Sequence, residues 1–198
     1  MVKAFDGYAG RYEQHVTEAL KYRTPELLLA QVAPLLPHRK LHMLDLGCGT
    51  GLLGMQLHPL ARELVGVDLS ANMLRQAEAR KIYQHLVCAE VVEFLHTQAN
   101  GFDLVAAADV LVYIGDLSGV FHGARQALRA GGLFGFSVEI SELRDFQLQS
   151  TRRYGHSRGY LERLSQEHGF VVEAMEPEVI RQELGNDVGG YIAALRRS

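Results

Sequence analysis

Three glycines flanked by two acidic residues form the part of this sequence best suited to chemistry. Residues 44–51 read LDLGCGTG, an apolar strand that turns into a glycine loop at Gly47, and a helix is predicted after Gly51. Glycine adopts positive φ and lets the backbone approach a ligand that a side chain would exclude. A second apolar run, residues 64–68, ends in Asp68, where doubly wound folds place the carboxylate that accepts from ribose hydroxyls. The two segments predict a nucleoside-binding βαβ unit.

The spacing of the glycines distinguishes between nucleoside cofactors. A dinucleotide fingerprint, G-x-G-x-x-G/A, needs a small residue for close packing of helix and strand, but that position is Leu52. The chain has G-x-G-x-G instead, with its last glycine, Gly51, one place earlier. The pattern therefore does not favour a pyrophosphate, and an NAD-dependent oxidoreductase is kept only as an alternative.

The motifs LDLGCGTG and GVDLSANML resemble motif I and the acidic loop of class I S-adenosylmethionine-dependent methyltransferases. Residues 88–90 and 102–109 resemble the ends of the third strand and the fourth strand of that family. Residues 128–133 resemble its "LRPGG" turn, with Ala130 in place of proline. Five such elements in register over residues 41–139 make coincidence improbable. The resemblance implies S-adenosylmethionine as the cofactor.

The same resemblance implies which residues hold that cofactor. Asp45 would orient the glycine loop and reach the cofactor's amino group, Asp68 would accept from the ribose hydroxyls, and Glu90 would accept from the adenine amino group. Asp68 and Glu90 also precede predicted helices, so a capping or first-turn role is the alternative for each. The predicted cofactor-binding residues are Asp45, Gly47, Cys48, Gly49, Gly51, Asp68, Leu69, Met73, Ala89, Glu90, Val91, Asp109 and Val110.

Methyl transfer from a sulfonium needs an acceptor held in line with the S–CH3 bond and shielded from water, rather than a catalytic triad. Asp109 ends the predicted fourth strand, beside the point where open parallel sheets bind ligands. It could orient the cofactor's ammonium group, anchor the acceptor or act as a base, and a loop acid without such a role is the alternative. His156 is a candidate base because imidazole titrates near working pH, although surface histidines before helices are common. We predict Asp109, Tyr113 and His156 as catalytic residues, and Tyr8, Tyr12, Tyr113, Tyr154 and His156 as acceptor contacts.

Alternation of strands and helices predicts an α/β fold with a parallel sheet. We expect a Rossmann-like, doubly wound, seven-stranded sheet whose seventh strand is antiparallel, the last feature being implied by the resemblance. Residues 1–36 are expected to form a helical lid and residues 37–198 the methyltransferase domain, with 140–156 irregular. The predicted strands are 41–46, 63–68, 84–89, 102–108, 132–139, 170–176 and 188–195, and the predicted helices are 52–60, 71–80, 91–97, 117–130 and 157–169.

Composition narrows the class of partner. The 198 residues carry a formal net charge of −3 and no long run of lysine and arginine, which does not favour nucleic acid. The apolar stretches are too short to cross a membrane and no signal-peptide pattern is present, so a cytoplasmic protein is expected. Cys48 and Cys88 are expected to be free thiols, and the spacing of the histidines predicts no metal site.

Methyl transfer to an oxygen, nitrogen or carbon of a small molecule is the function that the resemblance implies. Segments at both ends, residues 5–28 and 154–170, resemble methyltransferases that are often fused to tetratricopeptide repeats, although no such repeat occurs here. A non-catalytic module that binds the cofactor and a partner protein is the alternative, since these enzymes lack an invariant catalytic residue.

Overall fold

The computed structural model describes residues 22–142, 145–183 and 185–198, which form one nine-stranded sheet flanked by helices. None of the helices in these ranges is long and apolar enough to cross a membrane. The strands are β1 (Leu41–Leu46), β2 (Ala61–Asp68), β3 (His85–Cys88), β4 (Phe102–Ala107), β5 (Leu128–Ile140), β6 (Phe146–Leu148), β7 (Tyr154–His156), β8 (Phe170–Glu183) and β9 (Asn186–Arg197).

Six α-helices connect or cover these strands in the described ranges. Proline or glycine stands near the ends of several of them, and serines cap two. The helices are α1 (Thr24–Val32), α2 (Leu52–Leu57), α3 (Ala71–Ala79), α4 (Val91–His96), α5 (Ser118–Ala127) and α6 (Arg158–Glu167), with short 3-10 turns at Ala33–Leu35, His58–Leu60 and Leu111–Tyr113.

The order of the strands follows the predicted topology. Strands β1 to β5 are parallel in the order β3-β2-β1-β4-β5. Strand β9 pairs with β5 in antiparallel fashion, and β8 pairs with the outer edge of β9. The prediction of a Rossmann-like sheet whose last strand is antiparallel is confirmed, since β9 runs antiparallel between β5 and β8. The sheet has nine strands rather than the predicted seven, because β6 and β7 are added.

A short hairpin, β6–β7, lies where the sequence predicted irregular structure over 140–156. Glu139 of β5 pairs with Gly155 of β7 and with Gly190 of β9, so the two partners occupy opposite edges of β5. Strand β7 therefore continues the edge that β4 leaves at Ala107. The predicted helix 117–130 also ends earlier, at Ala127, because the following residues begin β5.

Both faces of the sheet are buried. On one face, residues such as Leu44, Val105 and Phe136 pack with helices α4, α5 and α6. On the other face, Met43 and Leu104 pack with helices α1 and α2. Burial on two faces explains the nearly continuous apolar runs from which these strands were predicted.

Helix α1 belongs to this core, although residues 1–36 were predicted as a lid. Its residues Leu28 and Val32 are fully buried, and they pack over Gly135 of β5. A Cβ atom on Gly135 would lie 2.7 Å from Val32 Cγ1 and 3.3 Å from Leu28 Cδ1. Glycine at this position is what lets the helix approach the sheet so closely.

We expect Gly135→Ala to lower the free energy of unfolding by about 1–3 kcal/mol, because the added methyl overpacks the contact with α1. Gly159→Ala is the control, since it lies in helix α6 and its Cβ would meet no described atom within 4 Å. That change should raise stability by about 0.5–1 kcal/mol through helix propensity. Urea unfolding measures both, and equal stability of the two variants would contradict the close packing of α1.

Candidate active site

A cavity of about 350 Å³ opens at the carboxyl ends of β1, β2 and β4. Open parallel sheets bind ligands at this edge, where the strand order reverses. Most of the predicted site residues contribute to its wall. Those that line it are Gly47, Gly49, Asp68, Leu69, Met73, Glu90, Val91, Asp109, Val110 and Tyr113, together with Ser70, Ala108 and Ile114.

The glycine loop forms the floor of the cavity in a left-handed conformation. Gly47 and Gly49 have φ of +63° and +53°. A Cβ on Gly47 would lie 2.4 Å from Val110 Cγ2, whereas a Cβ on Gly49 would meet no described atom within 4 Å. Gly47 is therefore needed for packing against the turn after β4, and Gly49 keeps bare backbone exposed to a ligand.

Asp68 ties the glycine loop to the end of β2. Its Oδ2 accepts from the Gly49 N–H at 2.9 Å, and its Oδ1 accepts from the Ser70 N–H at 2.8 Å. Helix α3 is capped by Ser70, whose Oγ accepts from the Met73 N–H at 3.2 Å. Since Ser70 caps helix α3, Asp68 does not serve as the N-cap, and it lines the cavity.

Glu90 has the structural role that was kept as its alternative. Its Oε2 accepts from the N–H groups of Val92 and Glu93, at 2.8 and 2.9 Å, and caps helix α4. Both bonds use the same oxygen, and the residue also lines the cavity. Capping fixes the carboxyl group at the end of β3, so its contact with adenine stays a prediction.

Asp45 lies behind the glycine loop, on a smaller cavity of about 30 Å³ that Tyr22 and Cys48 also line. It is 1% exposed, and Tyr83 Oη donates to its Oδ2 at 2.7 Å. Burial raises the pKa of Asp45 to about 7, although the Tyr83 hydrogen bond acts in the opposite direction. The sequence analysis did not identify Tyr83.

A glycine inside helix α2 was the available signal for Tyr83. A Cβ on Gly54 would lie 2.0 Å from Tyr83 Oη, so only glycine admits the phenol. Two further predicted residues border neither cavity. Gly51, with φ +93°, precedes helix α2 and accepts from the Met55 N–H, and the Ala89 N–H donates to the Asp68 carbonyl at 3.2 Å.

Because Asp45 is buried with a raised pKa, we expect the free energy of unfolding to depend on pH. Because the folded protein holds this proton more tightly than the unfolded chain, Asp45 favours folding near pH 4, and the contribution is lost as the pH rises to about 7. We expect the stability of Asp45→Asn relative to wild type to increase over this interval, by up to about 4 kcal/mol. Urea unfolding at several pH values measures it, with exposed Asp187→Asn as the control. A difference that does not change with pH would contradict the burial of an ionisable Asp45.

Asp109 stands at the end of β4 in an unusual backbone conformation. Its φ is +56°, which is uncommon for residues other than glycine, although aspartate adopts it more often than most. Its N–H donates to Ser137 Oγ at 2.8 Å, and its Oδ1 accepts from Arg181 Nη1 at 3.1 Å. Burial raises the pKa of Asp109, and the positive charge of Arg181 partly offsets this.

A group of buried charges, which the sequence analysis missed, surrounds Asp109. Arg181 is fully buried and also donates to Glu139 and, at 3.5 Å, to Glu183. Arg153 lies 3.2 Å from Glu183 and stacks 5.9 Å from the centre of the Tyr113 ring. These residues lie far apart in the chain, and no sequence motif predicted that they would meet.

His156 is not placed where an acceptor could reach it. It is fully buried, and its Nε2 lies 3.0 Å from the carbonyl oxygens of both Ile114 and Gly115. Since carbonyls only accept, Nε2 must carry the proton, and burial lowers the pKa of the ring. This placement supports the turn that carries Tyr113 rather than general-base catalysis.

The other predicted acceptor contacts are dispersed. Tyr154 is half-buried beside Phe146, with ring centres 6.3 Å apart, and does not line the cavity. Tyr8 and Tyr12 lie outside the described residues. Tyr113 is thus the one predicted acceptor contact that the described ranges place on the cavity wall.

The charge of the cavity indicates the kind of ligand that it suits. Asp68, Glu90 and Asp109 line it, whereas no lysine, arginine or histidine does so within the described residues. A wall of carboxylates favours a ligand with positive charge and repels a pyrophosphate. Within the same ranges, no group of three or more histidine, cysteine or acidic residues is arranged to hold a metal ion.

Comparisons with known proteins agree with this geometry. Residues 44–134 match the sequence profile of a family described as a methyltransferase domain. The chain is 31% identical over 138 residues to a malonyl-[acyl-carrier protein] O-methyltransferase of Pseudescherichia vulneris, covering 70% of this chain and 53% of that protein. It is 40% identical over 112 residues to human methyltransferase-like protein 27, covering 54% and 45%. The chain thus spans about half the length of these two relatives.

A solved structure shows the same fold. Magnesium protoporphyrin IX methyltransferase of Synechocystis PCC 6803, with bound S-adenosylmethionine, superimposes with a TM-score of 0.67 at 17% identity, covering 88% of this chain and 79% of that one. The solved structure shares the fold of this chain, and residues 44–134 resemble a methyltransferase domain.

Proposed function

We propose that this protein transfers the methyl group of S-adenosylmethionine to a nucleophilic oxygen, nitrogen or carbon of a small-molecule acceptor. The observation that carries the proposal is the cavity at the ends of β1, β2 and β4, whose wall combines the bare backbone of Gly49 with the carboxylate of Asp68. When bound, the cofactor supplies a methyl group already activated by its sulfonium. The protein then has to bind, orient and exclude water.

The residues of the cavity suit the parts of that cofactor. Asp68 would accept from the ribose hydroxyls, and the neighbouring side chains of Leu69 and Met73 offer apolar contact to adenine. Gly49 would let the methionine portion pass over bare backbone. Because S-adenosylmethionine carries a net positive charge, the acidic wall favours it, whereas the two phosphates of NAD would be repelled.

The relatives favour an oxygen nucleophile. One is named as a malonyl-[acyl-carrier protein] O-methyltransferase and another, from Hydrogenovibrio crunogenus, as a ubiquinone biosynthesis O-methyltransferase. The net charge of −3 and the lack of a long basic run do not favour a nucleic-acid acceptor. Kinship with methyltransferases fused to tetratricopeptide repeats and a cytoplasmic location stay predictions from the sequence.

Binding of the cofactor can be measured without knowing the acceptor. We expect both S-adenosylmethionine and S-adenosylhomocysteine to bind with micromolar affinity, about 7–9 kcal/mol, and NAD not to compete. Asp68→Ala should reduce this affinity by about 1.5–3 kcal/mol, because hydrogen bonds to a charged group are lost. Isothermal titration calorimetry measures both.

Glu176→Ala is the matched control for Asp68→Ala, because it removes an exposed carboxylate from strand β8, outside the cavity wall. It should leave the affinity unchanged. Unchanged affinity in a folded Asp68→Ala protein would contradict the ribose contact. Tight binding of NAD without binding of S-adenosylhomocysteine would overturn the proposed function, and cofactor binding without transfer to any acceptor would favour the non-catalytic module.

We further propose that residues 1–20 cover the acceptor end of the cavity. Support comes from Tyr22, the first described residue, which lines the smaller cavity, and that cavity shares Gly47, Gly49 and Ala108 with the larger one. Deleting residues 1–20 should leave S-adenosylhomocysteine binding measurable but abolish methyl transfer, because water enters and the acceptor is no longer held in line. Calorimetry and a methyl-transfer assay measure the two effects. Transfer at the full-length rate by the truncated protein would refute the lid.

A further inference from the structure

Strand β8 carries a β-bulge beside the candidate active site. Val179 pairs with Gly189 and Arg181 pairs with Val188, so Ile180 is an extra residue in β8. Two consecutive side chains, those of Ile180 and Arg181, are consequently buried, which strict alternation along a strand does not allow. Bulges re-aim side chains in this way and are frequent next to active sites.

The extra residue is fixed by the start of helix α1. The carbonyl of Ile180 accepts from the Arg23 N–H at 3.2 Å and from Thr24 Oγ1 at 3.3 Å. The backbone group displaced from the ladder is thereby satisfied. The bulge is thus part of the packed structure, and it directs Arg181 toward the end of β4.

Arg181 there holds the Asp109 carboxylate. The Nη1–Oδ1 distance is 3.1 Å, and the guanidinium is fully buried while the Asp109 side chain is 13% exposed and lines the cavity. The Asp109 N–H is fixed separately by Ser137 Oγ, and the positive φ of Asp109 aims its side chain away from the regular direction of β4. Backbone and carboxylate are therefore each tied to a different strand.

The charge balance around Asp109 depends on Arg181. Strand β5 presents Glu139, strand β8 presents Glu183, and the segment before β7 presents Arg153. Tyr113 faces Asp109 from the turn after β4. Three carboxylates thus meet two guanidiniums, and loss of Arg181 would leave Asp109 among like charges in a buried setting, where protonation is favoured.

We propose that Arg181 is a positioning residue that keeps the Asp109 carboxylate ionised on the cavity wall. Because of this charge, the site prefers the cationic sulfonium of S-adenosylmethionine to the neutral thioether of S-adenosylhomocysteine. This inference rests on the proposed function. Asp109 acts on the cofactor directly, and Arg181 acts through Asp109. The two ligands carry the same adenosine, amino and carboxyl groups, so the ratio of their dissociation constants isolates the sulfonium charge.

Calorimetry with both ligands tests the proposal near pH 7. In Arg181→Gln the affinity for S-adenosylmethionine should fall about tenfold, and that for S-adenosylhomocysteine less than about threefold. The attraction between the Asp109 carboxylate and the sulfonium is lost only with the first ligand, whereas both ligands carry the same ammonium group. Arg181→Lys should restore most of the preference. Loss of Arg181 should raise the pKa of Asp109 further, so that its carboxylate ionises only at higher pH. Raising the pH should therefore also restore the preference for S-adenosylmethionine in Arg181→Gln.

Two further variants keep the test decisive. Asp109→Asn removes the charge at constant shape with Arg181 in place, and should give the same loss of preference if Arg181→Gln does not fold. Arg62→Gln removes an exposed arginine from β2 and should leave both affinities unchanged. Equal losses for both ligands, or an unchanged ratio in folded Asp109→Asn, would overturn the proposal. Failure of the wild-type protein to bind either ligand would instead refute the proposed function.

Discussion

Parallel pairing of β1 with β2 and β4 is the constraint on which the site depends. Leu46 lies opposite Val67, and Asp45 lies opposite both Gly66 and Ala106, so the chain leaves these strands at one edge of the sheet. Buried apolar side chains on both faces hold this register, because a shift of one residue would exchange the faces. The glycine loop, Asp68 and Asp109 are brought together by that register and by nothing local.

The conformation of the glycine loop is held by residues on the side of the loop that faces away from the larger cavity. Tyr83 lies against Gly54 and Gly66, and its hydroxyl reaches Asp45. Arg80 donates from its Nε to the Thr50 carbonyl at 2.5 Å, on the same side of the loop. The segment after helix α3 thus clamps the loop in the conformation that leaves Gly49 open. The raised pKa of Asp45 is the electrostatic consequence of enclosing an acid in this clamp.

The end of the cavity at Asp109 and Tyr113 is organised differently, by buried charge rather than by bare backbone. Ion pairs that are removed from water need several partners, and Arg181 has three carboxylates within 3.5 Å. His156 supports the neighbouring turn by donating to two carbonyls. Asp109 is therefore supported by ion pairs and Tyr113 by the hydrogen bonds of His156. Arg181 and His156, which provide this support, both lie after β5 in the chain.

The sequence by itself determined the features that arise from local patterns. Apolar runs located the strands, the G-x-G-x-G spacing located the loop, and Asp68 followed from its place at the end of a strand. Tertiary structure decided what depends on distant partners. Arg181 meets Asp109 across 72 positions of the chain, through a bulge that no alternation pattern indicates. His156 matched a catalytic residue by type, but burial under the Tyr113 turn gave it a supporting position. Periodicity reports only which side of an element is apolar, whereas the pairing of buried charges is set by strand order and register, which are properties of the assembled sheet.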